Sequence, residues 1–463
     1  MTKEQFKHAM QRGLGSCIVE LKNAKSIEKY RDIVLWGCTH ELSYDAQCEG
    51  TRSFYLYTMI QCFPDIYPFL QAVTQSMNKN IHSCGWQFAK DCEVLSLFAS
   101  DEVTFAYDEL QKCYEVMYPI LLKRRRMGNG FPERENFESL CMALISGCKN
   151  QEAKREKYVE IVADLGRLFQ SNSLFEPWNF EWFQVYCEDV IGKRSVDKLL
   201  RETQKSSAAI KAYVDSRQAD AQGSNGDFTH RRLTLPQTAE EVYDLLKSSD
   251  QSGLRKLVFL VRKMQQRGFQ KEVARLAEFY KKETDKNLKV KILRLLANKE
   301  CAHVLDVHCL IKDSRSENEE LRENALGAMK YIKSQELHEY GIRLAQDKEF
   351  AAEALSILAK NYHNTDKELF VKLVKSIPVS YEDGDWHGRF SDVQDMFRDT
   401  SIKNPPKEVL FYLYENTLCS CCREETVTEM GRRRMLTKEL LYECSFDSNE
   451  EIRKYAKKKL QQK

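Results

Sequence analysis

Three cysteines stand close together in the segment CSCCR, residues 419–423. Cys419 and Cys422 have the C-x-x-C spacing that dithiol redox centres and zinc knuckles use. Cap-type residues predict that a helix begins near Ser420, and the amide dipoles at a helix N-terminus lower the pKa of a thiol. The segment is therefore a candidate for redox or metal chemistry, with Cys444 as a third ligand if a metal is held.

The surroundings of these cysteines favour a structural interpretation. No βαβ pattern of a thioredoxin-like site surrounds them, and no second C-x-x-C or H-x-x-x-H pair follows to complete four zinc ligands. Free cysteine is also one of the residue types most often buried. The sequence thus predicts thiols without a catalytic or metal role, and no cofactor, with Cys419, Cys422 and Cys444 as minor metal candidates.

A second cluster of polar residues lies in the segment DGDWHGRF. Asp385 and His387 in it have the residue types of general acid–base catalysis, since a neighbouring carboxylate raises the pKa of an imidazole. No nucleophile or oxyanion donor can be assigned beside them, and a turn leading into a helix explains the same residues. The sequence also contains no phosphate-cradling glycine loop, H-E-x-x-H or G-x-S-x-G. It leaves enzymatic activity open, favours a protein that is not an enzyme, and identifies no catalytic residue.

An aromatic stretch and two basic runs have structural explanations as well. Trp178, Trp182 and Tyr186 recur every four residues, which predicts a packed helical stripe, with stacking on nucleic-acid bases as the alternative. The basic runs at 123–126 and 432–434 end predicted helices, where cations offset the carbonyl dipole, with phosphate binding as the alternative. We expect packing and solvated helix ends.

The segment YDAQCEGTR brings charged residues to another predicted helix start. Asp45, Glu49 and Arg52 surround that start, and a binding role is the alternative to local pairing. Because capping and ion pairing between near neighbours are common at helix ends, we expect both here.

Length and charge limit the classes of function. A chain of 463 residues is too long for one core and predicts two domains. The formal net charge is only +2, so a nucleic-acid footprint would have to be a local patch. Sixteen scattered cysteines favour reduced thiols, and the charged N-terminus and the lack of a long apolar run exclude a signal peptide and a membrane span. We expect a cytoplasmic protein with no membrane partner.

Helical periodicity runs through nearly the whole sequence, which predicts an all-α fold. Thr238 and Glu241 form a capping signature ahead of an apolar helical stripe, and Ser448 and Glu451 repeat it. Alternating strand patterns are nearly absent. We therefore predict helices that begin directly after these capping residues.

One strong break divides the chain. Gly, Ser, Asn and Asp cluster at 220–238, where the apolar period lapses. We predict an N-terminal helical domain at 1–215, a linker at 216–237 and a repeat domain at 238–463. Whether the N-terminal domain continues the same superhelix stays open.

The C-terminal region contains internal repeats. The segment NEELRENALGAM (318–329) matches NEEIRKYAKKKL (449–460) in its Asn, Glu, Glu, aliphatic, Arg and Ala positions. Weaker copies begin near 287 and 350, about 30 residues to either side of the first, a period typical of stacked helix pairs. These segments resemble short HEAT-type repeats. The stretches YDAQCEGTR, DWHG and CSCCR resemble segments of uncharacterised bacterial HEAT-like repeat proteins.

The resemblance implies an α-solenoid of HEAT-like helical hairpins at 238–463 and implies no particular activity. We therefore predict a non-enzymatic protein–protein interaction scaffold that uses the concave face of the solenoid. Candidates for that face are Arg322, Asp385, His387 and Arg423. One alternative is a nucleic-acid-binding or DNA-repair HEAT-like protein; another is a metal- or thiol-dependent protein centred on Cys419 and Cys422.

Overall fold

A computed structural model describes residues 1–124, 132–223, 235–380, 386–402 and 404–462. Within these ranges the chain forms α-helices, short 3-10 segments and one π segment, and no strand occurs. The all-α prediction is confirmed. Of the helices in the described ranges, none is long and apolar enough to cross a membrane.

The chain divides into two compact units. The first consists of Met1–Phe228, Leu418–Glu424 and Leu436–Lys463, and the second of Thr229–Thr417 and Glu425–Met435. The last 28 residues, which the sequence patterns placed in the repeat domain, thus pack with the N-terminal region. Half of the predicted linker, residues 224–234, lies outside the described residues, and its first part, residues 216–223, is the end of a helix.

The helices of the first unit up to the linker are short to medium in length. In chain order they are α1 (Lys3–Arg12), α2 (Ser16–Asn23), α3 (Arg31–Cys38), α4 (Ala46–Glu49), α5 (Ser53–Ile60), α6 (Tyr67–Lys79), α7 (Gln87–Ser100), α8 (Thr104–Lys123), α9 (Pro132–Ser146), α10 (Gln151–Ser171), α11 (Glu181–Cys187), α12 (Lys193–Thr203) and α13 (Ala208–Gly223).

The second unit contains a regular series of helices. They are α14 (Ala239–Ser248), α15 (Gln251–Gln266), α16 (Gln270–Lys282), α17 (Lys286–Leu296), α18 (Val307–Asp313), α19 (Glu319–Met329), α20 (Gln335–Leu344), α21 (Ala351–Lys360), α22 (Lys367–Ser376), α23 (Trp386–Arg398) and α24 (Lys407–Asn416). Helix α25 (Ser420–Arg432) begins in the first unit and continues into the second. Helices α26 (Lys438–Cys444) and α27 (Glu450–Gln461) return the chain to the first unit.

Asparagine, aspartate and threonine side chains start many of these helices. Thr238 accepts a hydrogen bond from the backbone N–H of Glu241, as predicted. Asn318 caps α19 in the same way. The predicted cap at Ser448 is displaced by one residue, because the Asn449 side chain accepts hydrogen bonds from the first backbone N–H groups of α27. At these three helices the capping residues place the helix start to within a residue.

Helix α7 is the centre of the first unit, and α5, α6, α8 and α9 pack against it. It is buried on several sides and carries two fully buried charges, Lys90 and Asp91. The Lys90 ammonium donates to the carbonyl oxygens of Gly37, Cys38 and His40 at 2.8–3.2 Å. The cation thus satisfies carbonyl groups left unpaired at the end of α3.

Two glycines near the N-terminus allow α1 and α2 to approach the returning segment. A Cβ on Gly15 would lie 1.9 Å from the carbonyl oxygen of Glu443, where α2 packs on α26. Gly13 ends α1 with a φ of +72°, and its carbonyl oxygen accepts the N–H of Ser448 at 2.8 Å. Residues from the two ends of the sequence are therefore in direct backbone contact within this unit.

In the second unit, helices pack on their neighbours and on the next but one. Helix α15 packs on α17, α17 on α19, α19 on α21 and α21 on α23. One continuous cluster of buried aliphatic side chains extends from α14 to α21. Each helix thus packs its apolar side against the apolar sides of the helices before and after it.

Candidate functional site

An exposed apolar patch lies at the start of α11. Trp178 is 59 % exposed, Trp182 74 % and Val185 50 %. Trp182 and Val185 share one side of α11, and Trp178 lies in the 3-10 turn that leads into it. The expected packing is therefore wrong for the two tryptophans, and Tyr186 alone of the predicted stripe is half-buried. We call these three exposed residues the tryptophan patch.

The tryptophan patch has a buried counterpart on the same segment. Phe180, Phe183 and Cys187 are at most 1 % exposed and hold the segment against the unit. The chain from 175 to 192 contains no Lys or Arg, and Glu181 and Asp189 are exposed beside the patch. Glu176 is exposed too and accepts the indole N–H of Trp178 at 2.6 Å. The patch is thus an apolar surface with exposed carboxylates on its own segment, and the Arg134 guanidinium donates to the backbone carbonyl oxygen of Asn179 at 2.7 Å.

A cluster of four thiols lies at the N-terminus of α25. The sulfurs of Cys419 and Cys422 are within 4.8 Å of each other. The Cys421 thiol donates to the carbonyl oxygen of Cys48, with a sulfur-to-oxygen distance of 3.5 Å. Cys419 is 1 % exposed, Cys421 and Cys422 are partly exposed, and Cys48 is exposed. We call these four residues the thiol cluster.

The environment favours a thiolate at one position of the thiol cluster. The hydrogen bond from the Cys422 thiol lowers the pKa of Cys419 to about 6 against the opposing effect of burial, and the backbone N–H groups of Cys422 and Cys421 also lower it. Burial raises the pKa of Cys421 to about 12, and the neighbouring Cys419 charge adds to that effect. Hydrogen bonding to Asp45 raises the pKa of Cys48. The arrangement therefore favours ionisation of Cys419 over ionisation of Cys421 and Cys48.

A buried carboxylate joins the two segments that form the thiol cluster. Glu49 accepts the backbone N–H of Ser420 at 2.9 Å and of Asp45 at 3.0 Å. The Arg52 guanidinium donates to Glu49 at 3.0 Å and to the carbonyl oxygen of Leu418 at 2.7 Å. Burial by itself raises the pKa of Glu49, but Arg52 and the N–H donors lower it to about 2. Local capping and pairing occur as predicted, and the same side chains also bind residues near 420.

A group in the second unit has ligand types suited to a metal. His338, His363 and Asp366 have ligand atoms within 4.8 Å of one another. His338 Nε2 lies 2.6 Å from Asp366, and the two imidazoles stack with centroids 4.0 Å apart and planes 20° apart. Nearly parallel rings direct their in-plane lone pairs side by side, whereas metal ligands must converge on the ion. A hydrogen-bonded His–Asp pair covered by a second ring accounts for this group.

The four residues predicted on a partner-binding face have different surroundings. Arg423 is fully buried, and its charge is paired with Asp447 at 2.8 Å, so it holds the first unit together and cannot contact a partner. Arg322 is half-buried and donates to the carbonyl oxygen of Ser316 at 3.3 Å. His387 is half-buried near the start of α23, and Asp385 lies outside the described residues.

The remaining predicted residues are also placed by the structure. Cys444 is fully buried in α26 and belongs to no convergent group of potential metal ligands among the described residues. Arg433 is paired with Glu429 and donates to the carbonyl oxygen of Phe397, both at 2.8 Å, so it is partly neutralised at its helix end. Of the run at 123–126, residues 125 and 126 lie outside the described ranges.

Sequence reasoning missed Cys48 as a member of the thiol cluster. Its segment, YDAQCEGTR, contacts CSCCR although more than 360 residues separate them. No sequence pattern linked the two segments. Helical periodicity reports only near neighbours along the chain.

No model of a known protein family matches the sequence, and no curated protein matches it significantly.

Proposed function

We propose that the protein is a non-enzymatic scaffold that binds protein partners. The tryptophan patch is the observation that carries this proposal. Tryptophan is enriched among the residues that dominate binding energy at interfaces, and large apolar groups on a monomer surface typically mark such sites. Trp178 and Trp182 are more than half exposed while Phe183, next to them, is fully buried. One side of the segment thus packs into the core of the unit, and the opposite side is exposed to a partner.

The acidic residues around the patch specify the chemistry of the partner. Glu176, Glu181 and Asp189 place negative charge on the segment that carries the tryptophans, and Arg134, which contacts the Asn179 backbone, is paired with Glu135. A partner segment that combines apolar side chains with flanking Lys or Arg would complement this surface. Phosphate groups would be repelled by it, which disfavours nucleic acid as the occupant of the patch.

The second unit we interpret as an α-solenoid of HEAT-like helix pairs. Its support is the packing of α15 on α17, α17 on α19 and α19 on α21 around one continuous core. The repeat arginine Arg322 also donates to a backbone carbonyl of the turn before its helix. Such a stack leaves a long concave face free for a further partner.

A cytoplasmic location accompanies this proposal. All sixteen cysteines are free thiols, and most are buried in helix packing. Reducing compartments keep cysteine in that form.

The test compares partner capture by three forms of the full chain: wild type, the double variant Trp178→Ala/Trp182→Ala, and Phe259→Ala. Phe259 is 49 % exposed in the second unit and serves as the matched exposed aromatic control. Each form is immobilised, incubated with lysate with and without nuclease, and the bound proteins are quantified by mass spectrometry. We expect a partner that both wild type and Phe259→Ala retain, that the tryptophan variant loses, and that survives nuclease treatment.

The purified partner then decides whether the acidic surroundings matter. Glu176→Lys/Glu181→Lys should weaken its binding about tenfold or more, because like charges across an interface repel. Equal partner binding by wild type and the tryptophan variant would overturn the patch as the docking site. Partners lost only on nuclease treatment would support the nucleic-acid alternative instead.

A further inference from the structure

The thiol cluster has a geometry that the scaffold function does not use. The sulfur of Cys419 lies at the start of α25, and the thiols of Cys421 and Cys422 lie beside it. The backbone carbonyl of Cys48 contacts the Cys421 thiol. The other described cysteines with fully buried side chains have no comparable set of donors: burial raises the pKa of Cys17, Cys92 and Cys141. Among the described buried cysteines with a shifted pKa, Cys419 is the one whose pKa is lowered, because its neighbours stabilise the thiolate.

We propose that Cys419 is a hydroperoxide-reactive cysteine and that Cys422 resolves its oxidised form to a disulfide. The two sulfurs are within 4.8 Å, on the C-x-x-C spacing that closes a small disulfide ring at a helix N-terminus. Cys421 also hydrogen-bonds Cys419 and donates to the carbonyl oxygen of Cys48, so the C-x-x-C spacing is what assigns Cys422 as the resolving partner.

The burial of Cys419 limits the size of the oxidant that can react with its sulfur. The residue is 1 % exposed, so a protein disulfide cannot reach its sulfur in line. Hydrogen peroxide is little larger than water, and Cys421 and Cys422 beside Cys419 are partly exposed. Small hydroperoxides are therefore the substrate class.

The chemistry proceeds in two balanced steps. The Cys419 thiolate attacks one oxygen of hydrogen peroxide, the S–O bond forms as the O–O bond breaks, and hydroxide leaves and is protonated by solvent. Cys419 is oxidised by two electrons to a sulfenic acid while the peroxide is reduced. The Cys422 sulfur then attacks the Cys419 sulfur and loses its proton, and the hydroxyl group leaves with that proton as water. Two thiols and one peroxide thus give one disulfide and two waters.

The expected rate advantage depends on pH. At pH 6 about half of Cys419 is ionised, against about 0.3 % of an ordinary thiol with a pKa near 8.5, a difference of about 150-fold. A less basic thiolate is a weaker nucleophile, which reduces the advantage by about tenfold. Cys419 should therefore react about tenfold faster than an ordinary thiol at pH 6, and its rate should level off above pH 7.

The test uses the reduced full chain. Limiting hydrogen peroxide is added at pH 6, the remaining thiols are alkylated with isotope-coded reagents, and each cysteine is quantified by mass spectrometry. Cys84, exposed at the surface, is the internal reference. We expect Cys419 to be consumed about tenfold faster than Cys84 and to appear in a peptide cross-linked to Cys422. Because this measurement needs only the wild-type chain, it does not depend on the folding of a variant.

Two further outcomes decide the assignment. Cys422→Ser should stop the reaction at the sulfenic acid, which dimedone traps on Cys419, while Cys421→Ser should still form the disulfide. A Cys419 rate equal to that of Cys84 would overturn the proposal, as would stoichiometric zinc that protects these thiols from peroxide. A cross-link from Cys419 to Cys421 or Cys48 would overturn Cys422 as the resolving residue.

Discussion

Arg423 and Asp447 form a fully buried, bidentate ion pair in the first unit. Arg423 Nε lies 2.8 Å from Asp447 Oδ2, and Nη2 lies 2.8 Å from Oδ1. The remaining guanidinium donors reach the carbonyl oxygens of Arg12 and Gly13 at 2.6 and 3.3 Å. One cation thus joins the end of α1, the start of α25 and the turn before α27.

Breaking this pair on one side should destabilise the first unit strongly. Asp447→Leu leaves the Arg423 cation buried without its counter-charge, and such changes cost about 3–5 kcal/mol. The double variant Arg423→Met/Asp447→Leu removes both charges and should lose less than the two single variants together. Urea unfolding followed by circular dichroism measures these differences. Arg432→Met, at an exposed arginine of α25, is the control and should change stability by about 0.5 kcal/mol or less; equal losses for Asp447→Leu and Arg432→Met would contradict the prediction.

Glu49 should make the protein sensitive to acid. Its folded-state pKa of about 2 lies below the ordinary value of 4.5, so the unfolded chain binds the proton more readily. The stabilisation is complete above pH 4.5 and is lost as the pH falls from 4.5 towards 2. The shift corresponds to on the order of 3 kcal/mol. Glu49→Gln should lower the stability at pH 7 and flatten this part of the pH profile, as urea midpoints at several pH values would show; an unchanged slope in the variant would refute the assignment.

The two glycines Gly13 and Gly327 should respond to alanine in opposite ways. Gly13 has a φ of +72°, and an added Cβ would lie 2.1 Å from the Ser448 hydroxyl oxygen. Strain and displacement of Ser448 together should cost about 2 kcal/mol or more. Gly327 lies within α19, where a Cβ meets no atom within 4 Å, so alanine should stabilise by about 0.5–1 kcal/mol. Thermal melts of both variants check the pair, and a lower melting temperature for Gly327→Ala would count against this account.

Neighbouring aromatic residues on α11 should differ in their contribution to folding. Trp182 is 74 % exposed, so Trp182→Ala should change the free energy of unfolding by only about 0.5 kcal/mol. Phe183 is fully buried, and Phe183→Ala should cost about 3–5 kcal/mol. Chemical denaturation of the two variants measures the contrast. Similar losses at both positions would mean that the tryptophan packs against the unit.

The all-α fold and many helix starts could be predicted because both depend on near neighbours in sequence. A period of 3.6 residues and a capping side chain two or three residues from its N–H partner are local signals. Thr238 and Asn318 act as such caps. The same logic places the start of α25 at Ser420, as predicted.

The tryptophan patch shows where periodicity becomes ambiguous. The segment 175–187 carries two apolar sets, one with Trp178 and Trp182 and one with Phe180 and Phe183. A helical pattern indicates that a stripe exists and does not indicate which of two stripes meets the core. The phenylalanines are the buried set, so the larger side chains remain outside.

Long-range partners of charged residues had no sequence signal of their own. Glu49 has a local explanation as a helix-start carboxylate, and Arg423 was predicted on a partner-binding face. Both are instead buried and bind backbone groups hundreds of residues away in sequence. A charge is buried only where several segments supply its partners together, and such convergence is a property of the folded chain.

The backbone contact between Gly13 and Ser448 has a consequence for biosynthesis. Translation delivers the N-terminal helices first, but the last segment of their unit, Leu436–Lys463, is delivered after the whole second unit. Until then the surface of α2 that receives α26 stays open, and its closure spans a loop of more than 400 residues. We therefore expect nascent chains stalled before residue 436 to have a structured second unit and an N-terminal unit that is still sensitive to protease.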